Sequence, residues 1–199
     1  GYVCLVPDYP SFGDYKYDFK KSAYSSGTMK AIVNNMRGVD LLQSCPEVDG
    51  ERIAAIGHSL GGHNAMFTAA FDERIKLIVS SCGFCSFHKY YGGDLKGWTS
   101  DRYMPLIASE YKNDPKKMPF DFTDVVASFA PRAFMAVAPV KDDNFAVDGV
   151  RDVFKAALPA YEKRKAVEEL IARYPDAGHD FPPEERKAAY EFMDKRLKP

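Results

Sequence analysis

The hexapeptide Gly57-His58-Ser59-Leu60-Gly61-Gly62 stands directly after an apolar run, Ile53-Ala54-Ala55-Ile56, and directly before a helix-forming stretch, Asn64 to Phe71. A serine flanked at two positions by glycine, with strand-like sequence ahead and helix-like sequence behind, calls for a sharp strand-to-helix turn. Such a turn holds the serine in an unfavourable backbone conformation that projects its hydroxyl out of the fold. Small residues two positions to either side let the chain pass that closely. Gly57 and Gly61 meet the condition. The turn also aims the amide of Leu60, and the positive end of the new helix, at the place where an oxyanion would form. Ser59 is therefore the candidate nucleophile and Leu60 the candidate oxyanion donor.

The rest of the chain alternates strand-like and helix-like segments. Residues 2–6 read as a buried strand, ended by Pro7-Asp8-Tyr9-Pro10. A helix follows over about 28–44, with Met29, Ile32, Val33, Met36, Val39 and Leu42 at helical spacing. Beyond the turn around Ser59, apolar runs at 76–80 and 133–138 read as buried strands. A helix from about Val147 carries Pro159 near its end, 170–174 is a short strand, and 183–197 is an amphipathic helix with proline at its start. This order predicts an α/β fold, a mostly parallel sheet covered by helices on both faces. At 199 residues the chain reads as one domain, 1–199. Residues 82–126 break the alternation. They hold Phe84, Phe87, Tyr90, Tyr91, Trp98, Tyr103, Tyr111, Phe120 and Phe122 among glycines and prolines, and read as an insertion above the sheet ends that could wall a pocket or simply pack onto the body.

Composition excludes several classes of partner. A net charge of -1 suggests no nucleic acid or other polyanion. No apolar run approaches the ~18 residues of a membrane span. The four cysteines, Cys4, Cys45, Cys82 and Cys85, sit in or beside buried segments and read as free thiols. Cys82 and Cys85 form a CxxC with His88 three residues on; without a fourth ligand or a second pair, no metal site is expected. The chain opens at Gly1 inside a strand-like run, without an initiator methionine, so the sequence assigns no compartment.

A serine hydroxyl needs a base within hydrogen-bond reach, and that base needs a carboxylate to orient it. Of four histidines, His58 and His63 lie too near Ser59 in sequence to swing onto it, and read as structural. His88 falls in the insertion, as a surface or pocket-lining residue. His179 sits in Asp176-Ala177-Gly178-His179-Asp180-Phe181, a loop following the last strand, and is the candidate base. The acid is expected in Lys141-Asp142-Asp143-Asn144-Phe145, at the C-terminal end of the strand before it. Asp142 is the choice, with Asp143 the alternative and Asp148 an N-terminal helix residue.

The order Ser59, Asp142, His179 and the motifs GHSLGG, KDDNF and AGHDF resemble the α/β-hydrolase superfamily. Within it, the likeness is to the acetyl xylan esterase, dienelactone hydrolase and prolyl oligopeptidase-type group. In the peptidase branch an Asp-Asp-Asn run carries the triad acid on its first aspartate, which favours Asp142. Dienelactone hydrolases use a cysteine where this chain has Ser59. The resemblance implies a serine hydrolase of carboxylic esters, with a small-molecule or acylated-carbohydrate ester as substrate, an acetyl ester foremost, and no cofactor. A peptidase is the alternative, and a non-catalytic module of the same fold the rival of a different kind. In this superfamily three strands precede the one that Gly1 to Val6 resembles, and the third supplies a second oxyanion amide. The resemblance therefore implies that residues 1–199 are the C-terminal portion of a longer hydrolase with only the Leu60 half of the hole. One missing donor of this kind costs about 10² to 10³ in rate.

Overall fold

The computed structural model describes residues 1–198. Four strands, β1 (Ile53–His58), β2 (Ile75–Ser81), β3 (Ala133–Val137) and β4 (Leu170–Arg173), form a sheet in the order β1-β2-β3-β4. Every neighbouring pair is parallel. The helices are α1 (Gly27–Ser44), α2 (Leu60–Phe71), the single turn α3 (Leu106–Ser109), α4 (Phe122–Ser128), α5 (Val147–Arg164) and α6 (Pro183–Leu197). The α/β architecture anticipated from the alternation is the one observed, with short extensions at several strand ends.

Parallel strands need crossover connections, and the helices that make them cover both sheet faces. All five residues of β3 are buried. Leu77, Val79, Ala133 and Met135 point to one face, where Ala189, Phe192, Met193 and Leu197 of α6 close over them. Their alternates Ile78, Phe134 and Ala136 point into a larger core with residues of α1, α2, α4 and α5. Each fully buried side chain of this size contributes about 1.5–3 kcal/mol. Local signals set the helix starts. Ser26 caps α1 by accepting from the Met29 amide at 3.0 Å, and Asp121 with Asp124 forms a capping box on α4.

Residues 2–6 differ from expectation. They form no strand, and Tyr2, Val3, Leu5 and Val6 are exposed, Val6 by 89%. An extended apolar run becomes a strand only where a neighbouring ladder takes its amides and carbonyls. None of the four strands pairs with it, and the segment lies instead along helices, with the Tyr2 hydroxyl donating to Asp194 Oδ1 at 2.8 Å.

The 82–126 segment is built as mortar. Phe84, Phe87, Tyr90, Trp98 and Phe122 are all buried, and their rings meet at tilted or edge-on angles with centroids 5.3–6.0 Å apart. These rings supply core area, as the plainer of the two readings had it. Asp121 ties the segment down, accepting from Ser86 Oγ at 2.7 Å and the Phe87 amide at 2.9 Å besides capping α4. Ser100, Asp101, Arg102 and Tyr103 do line a cavity of about 450 Å³, together with Ser11, Tyr17 and Phe19. No residue of the Ser59, Asp142, His179 set borders it.

His63, in the first turn of α2, is buried with 5% exposure and donates from Nδ1 to the Gly83 carbonyl at 3.2 Å. Its ring sits 4.8 Å from that of Trp98. Burial lowers its pKa to about 4. The unfolded chain takes up this proton below about pH 6.5, whereas the folded chain does so only near pH 4. Stability is therefore lost as pH falls through that window. Between pH 7.5 and 5.0 the His63 contribution to the loss is about 2 kcal/mol. Urea unfolding at the two pH values should show a flatter dependence by about that amount in His63→Phe; parallel curves for the two proteins would refute the assignment.

Candidate active site

Parallel register brings four chain reversals to one edge. His58 of β1 stands beside Ser81 of β2, Ser81 beside Val137 of β3, and Val137 beside Arg173 of β4. Ser59, Cys82, the Asp142 loop and the His179 loop therefore all leave the sheet at its C-terminal ends, where open α/β sheets gather ligands.

Ser59 has φ 52° and ψ -117°, a strained conformation for a residue with a side chain. Its amide donates to the Ser81 carbonyl at 2.8 Å, and its own carbonyl accepts from the amides of Gly62 and His63. Gly57 is obligatory here, since a Cβ would lie 2.1 Å from the Gly61 carbonyl oxygen. Gly61, expected to be equally constrained, is not; a Cβ there would meet nothing within 4 Å. The second close approach involves Gly62, where a Cβ would come within 2.9 Å of Gly83 Cα. Leu60 opens α2, so its amide is one of the donors that a helix start leaves without an intrahelical partner.

His179 Nε2 lies 2.8 Å from Ser59 Oγ. Its Nδ1 lies 3.0 and 3.1 Å from the two Asp142 oxygens. A carboxylate only accepts, so Nδ1 carries the proton and Nε2 is free to accept from the serine hydroxyl. The Asp142 side chain is 1% exposed and the His179 side chain 25%. Backbone amides of Asn144, at 2.8 Å, and Phe145, at 3.0 Å, also donate to Asp142 Oδ1. The neighbouring Asp143 is exposed, and Asp148 pairs with Arg151 at the start of α5. Beyond the last β3–β4 rungs the two loops stay zipped. The Val140 amide donates to Pro175 O and the Lys141 amide to Ala177 O, both at 3.0 Å, while Lys141 pairs with Asp176 at 2.7 Å.

The remaining histidines divide as follows. His58 has its ring 5.1 Å from that of His179 and its Nδ1 3.3 Å from Ser81 Oγ; desolvation, then the nearby His179, lower its pKa. His63 is the core residue described above, and His88 is exposed. The Cys82-x-x-Cys85 pair does not converge with His88. Instead Cys82, at φ 49°, turns toward the site. Its Sγ, one Asp142 oxygen and one His179 ring nitrogen all lie within 4.8 Å of one another. The Cys82 thiol donates to the Asp180 carbonyl at 3.2 Å, and burial followed by the Asp142 charge pushes its pKa up to about 12. Burial does the same to Cys85. No sequence signal pointed to this position of Cys82, or to the two amides behind Asp142. From the insertion, Tyr91 is exposed and its hydroxyl donates to Asn144 Oδ1 at 3.1 Å.

Known proteins give this chain a family. A 4-O-methyl-glucuronoyl methylesterase of Hypocrea jecorina (strain QM6a) is 28% identical over 161 residues, 73% of this chain and 34% of that protein. YtaP of Bacillus subtilis (strain 168) is 27% identical over 209 residues, 99% of this chain and 66% of that protein. Among solved structures, a carbohydrate esterase family 15 glucuronoyl esterase from Caldicellulosiruptor kristjansonii superposes with a TM-score of 0.75 at 22% identity, covering 93% of this chain and 56% of that one. That likeness shows a shared fold. The chain spans less than two thirds of the length of each of these relatives. The sequence model of the prolyl oligopeptidase family matches residues 1–199 throughout, and the chain belongs to that family.

Proposed function

We propose that the chain carries a serine hydrolase centre for carboxylic esters. The observation that carries this reading is the continuous relay from Ser59 Oγ through His179 to the buried Asp142 carboxylate. A weak nucleophile, a base on its hydroxyl and an acceptor that fixes the tautomer of the base are the parts acyl transfer needs. Ser59 attacks the acyl carbon as His179 takes its proton. Asp142 holds the ring with Nε2 toward the serine and steadies the imidazolium that forms. His179 then returns the proton to the leaving alcohol, and water repeats the cycle on the acyl-enzyme. The Leu60 amide, aided by the α2 N-terminus, meets the charge on the carbonyl oxygen.

An ester of a carbohydrate is the substrate class we favour. It is supported by relatives named as a carbohydrate esterase, 24% identical over 157 residues, and as a glucuronoyl methylesterase. Those names extend the expectation of an acetyl ester to uronic-acid esters. The family match favours a second reading, a peptidase. Hydrolysis measured side by side on acetylated sugars, a methyl uronate and dipeptide amides separates the two. We expect turnover of at least one sugar ester and none of the amides; the reverse pattern would establish the peptidase.

The roles are separable by mutation. Fluorophosphonate should label the chain at Ser59 and not label Ser59→Ala, whose ester turnover should fall by at least ~10³-fold. Asp142→Asn should lower kcat by about 10²- to 10⁴-fold, because the amide favours the wrong histidine tautomer. Asp143→Asn should stay within about threefold of the parent, as expected of an exposed group outside the relay. A larger loss at Asp143 than at Asp142 would reverse their roles.

A further inference from the structure

The relay accounts for Asp142 and His179 but leaves Cys82 unexplained. A buried sulfur, a buried carboxylate and an imidazole nitrogen within 4.8 Å of one another are the donor types that bind zinc-like cations. Each arrives on its own rigid support. Cys82 follows β2 and is fixed by its amide, which donates to Val137 O at 2.9 Å. Its positive φ turns the side chain toward the Asp142 loop rather than along the strand. Asp142 is held by the Asn144 and Phe145 amides whether or not His179 bonds it. Ser81 Oγ lies 3.8 Å from the sulfur, within reach to donate to it. Such outer bonds orient metal ligands and hold their charge.

We propose that Cys82, Asp142 and His179 form an inhibitory site for a zinc-type divalent cation. Ligand bonds of about 2.0–2.3 Å need donors roughly 3.3–3.8 Å apart. Asp142 and His179 are already closer than this, at 3.0 Å, so the ion enters between them as the sulfur closes in. The ion bonds to sulfur, one carboxylate oxygen and Nδ1. The thiol proton leaves to solvent, and the Nδ1 proton is replaced by one on Nε2. The imidazole stays neutral, and thiolate plus carboxylate match the two positive charges. With Nε2 protonated, His179 donates toward Ser59 and can no longer accept its proton. The ion thus removes the base without touching the serine. Sulfur and nitrogen donors disfavour magnesium and calcium, which take oxygen. The inhibitory consequence rests on the hydrolase reading above; the binding itself does not.

Cobalt(II) reports the sulfur bond directly, through its thiolate charge-transfer absorption. Titrated into the intact protein, it should give that band with a one-to-one end point in wild type and in Ser59→Ala. The band should be lost in Cys82→Ser, and again in His179→Ala should the first variant fold poorly. In parallel, zinc should inhibit ester turnover reversibly with a chelator, and Cys82→Ser should need at least about tenfold more zinc for the same effect. A wild-type protein without the band, or a band that survives Cys82→Ser and so belongs to Cys4 or Cys45, overturns the proposal. A wild type that shows the band but hydrolyses no ester leaves the site standing and sinks the esterase reading instead.

Discussion

The amide of Ser59 donates to the carbonyl of Ser81, and the geometry of the site hangs on that bond. It continues the β1–β2 ladder one step past the last paired residues, His58 and Ser81. The serine leaves the sheet still anchored to β2 while its φ has already turned to 52°. Strain of this kind costs about 1–3 kcal/mol and persists only where the surroundings over-determine it. Here the surroundings are tight. Gly57 and Gly61 touch at backbone distance, and Gly62 packs on Gly83 with no room for a side chain. Because β2 also sets the register of β3, and β3 that of β4, the same ladder fixes where Asp142 and His179 emerge. A slip of one residue in any pair would turn the intended face away and separate the loops.

Much of this was legible in the sequence because it is written locally. The turn at Ser59 is a short-range pattern of glycines between apolar run and helix, and β2, β3, α5 and α6 follow from runs and periodicity within a few residues of the observed ends. The loops carrying His179 and the Asp142-Asp143 pair could be placed by chain order, since parallel strands send their loops to one edge. What failed was non-local. Residues 2–6 have strand composition, yet a strand exists only beside a partner, and partnership is invisible in a run of five residues. Gly61 resembled Gly57 by symmetry of motif, but the crowding after the turn falls on Gly62 instead. The CxxC invited a local reading, Cys82 with Cys85 and His88. A positive φ at Cys82 sends its sulfur instead to residues 60 and 97 positions away, an outcome that sequence spacing does not encode.

Asp142 and Asp143 show how burial separates two residues that composition makes equal. Both are aspartates on one loop, but only Asp142 is withdrawn from water, with its side chain 1% exposed. A carboxylate withdrawn from water is costly unless donors reach it. Two backbone amides and the Nδ1 proton of His179 supply the hydrogen-bond donors its oxygens need there. The amides belong to the loop itself, so two of its donors stay in place independently of the histidine.

The adjacent Cys82 is in the opposite situation. The same burial, beside the same carboxylate, gives its sulfur no cation and holds the thiol protonated, with a pKa of about 12. A protonated thiol and a buried carboxylate thus lie side by side, the carboxylate facing the His179 ring. Exchanging the two roles would need a cation between the carboxylate and the sulfur. Such a cation would compete for the same imidazole nitrogen that now faces Asp142, so the proposed metal binding and the proposed catalysis would exclude one another.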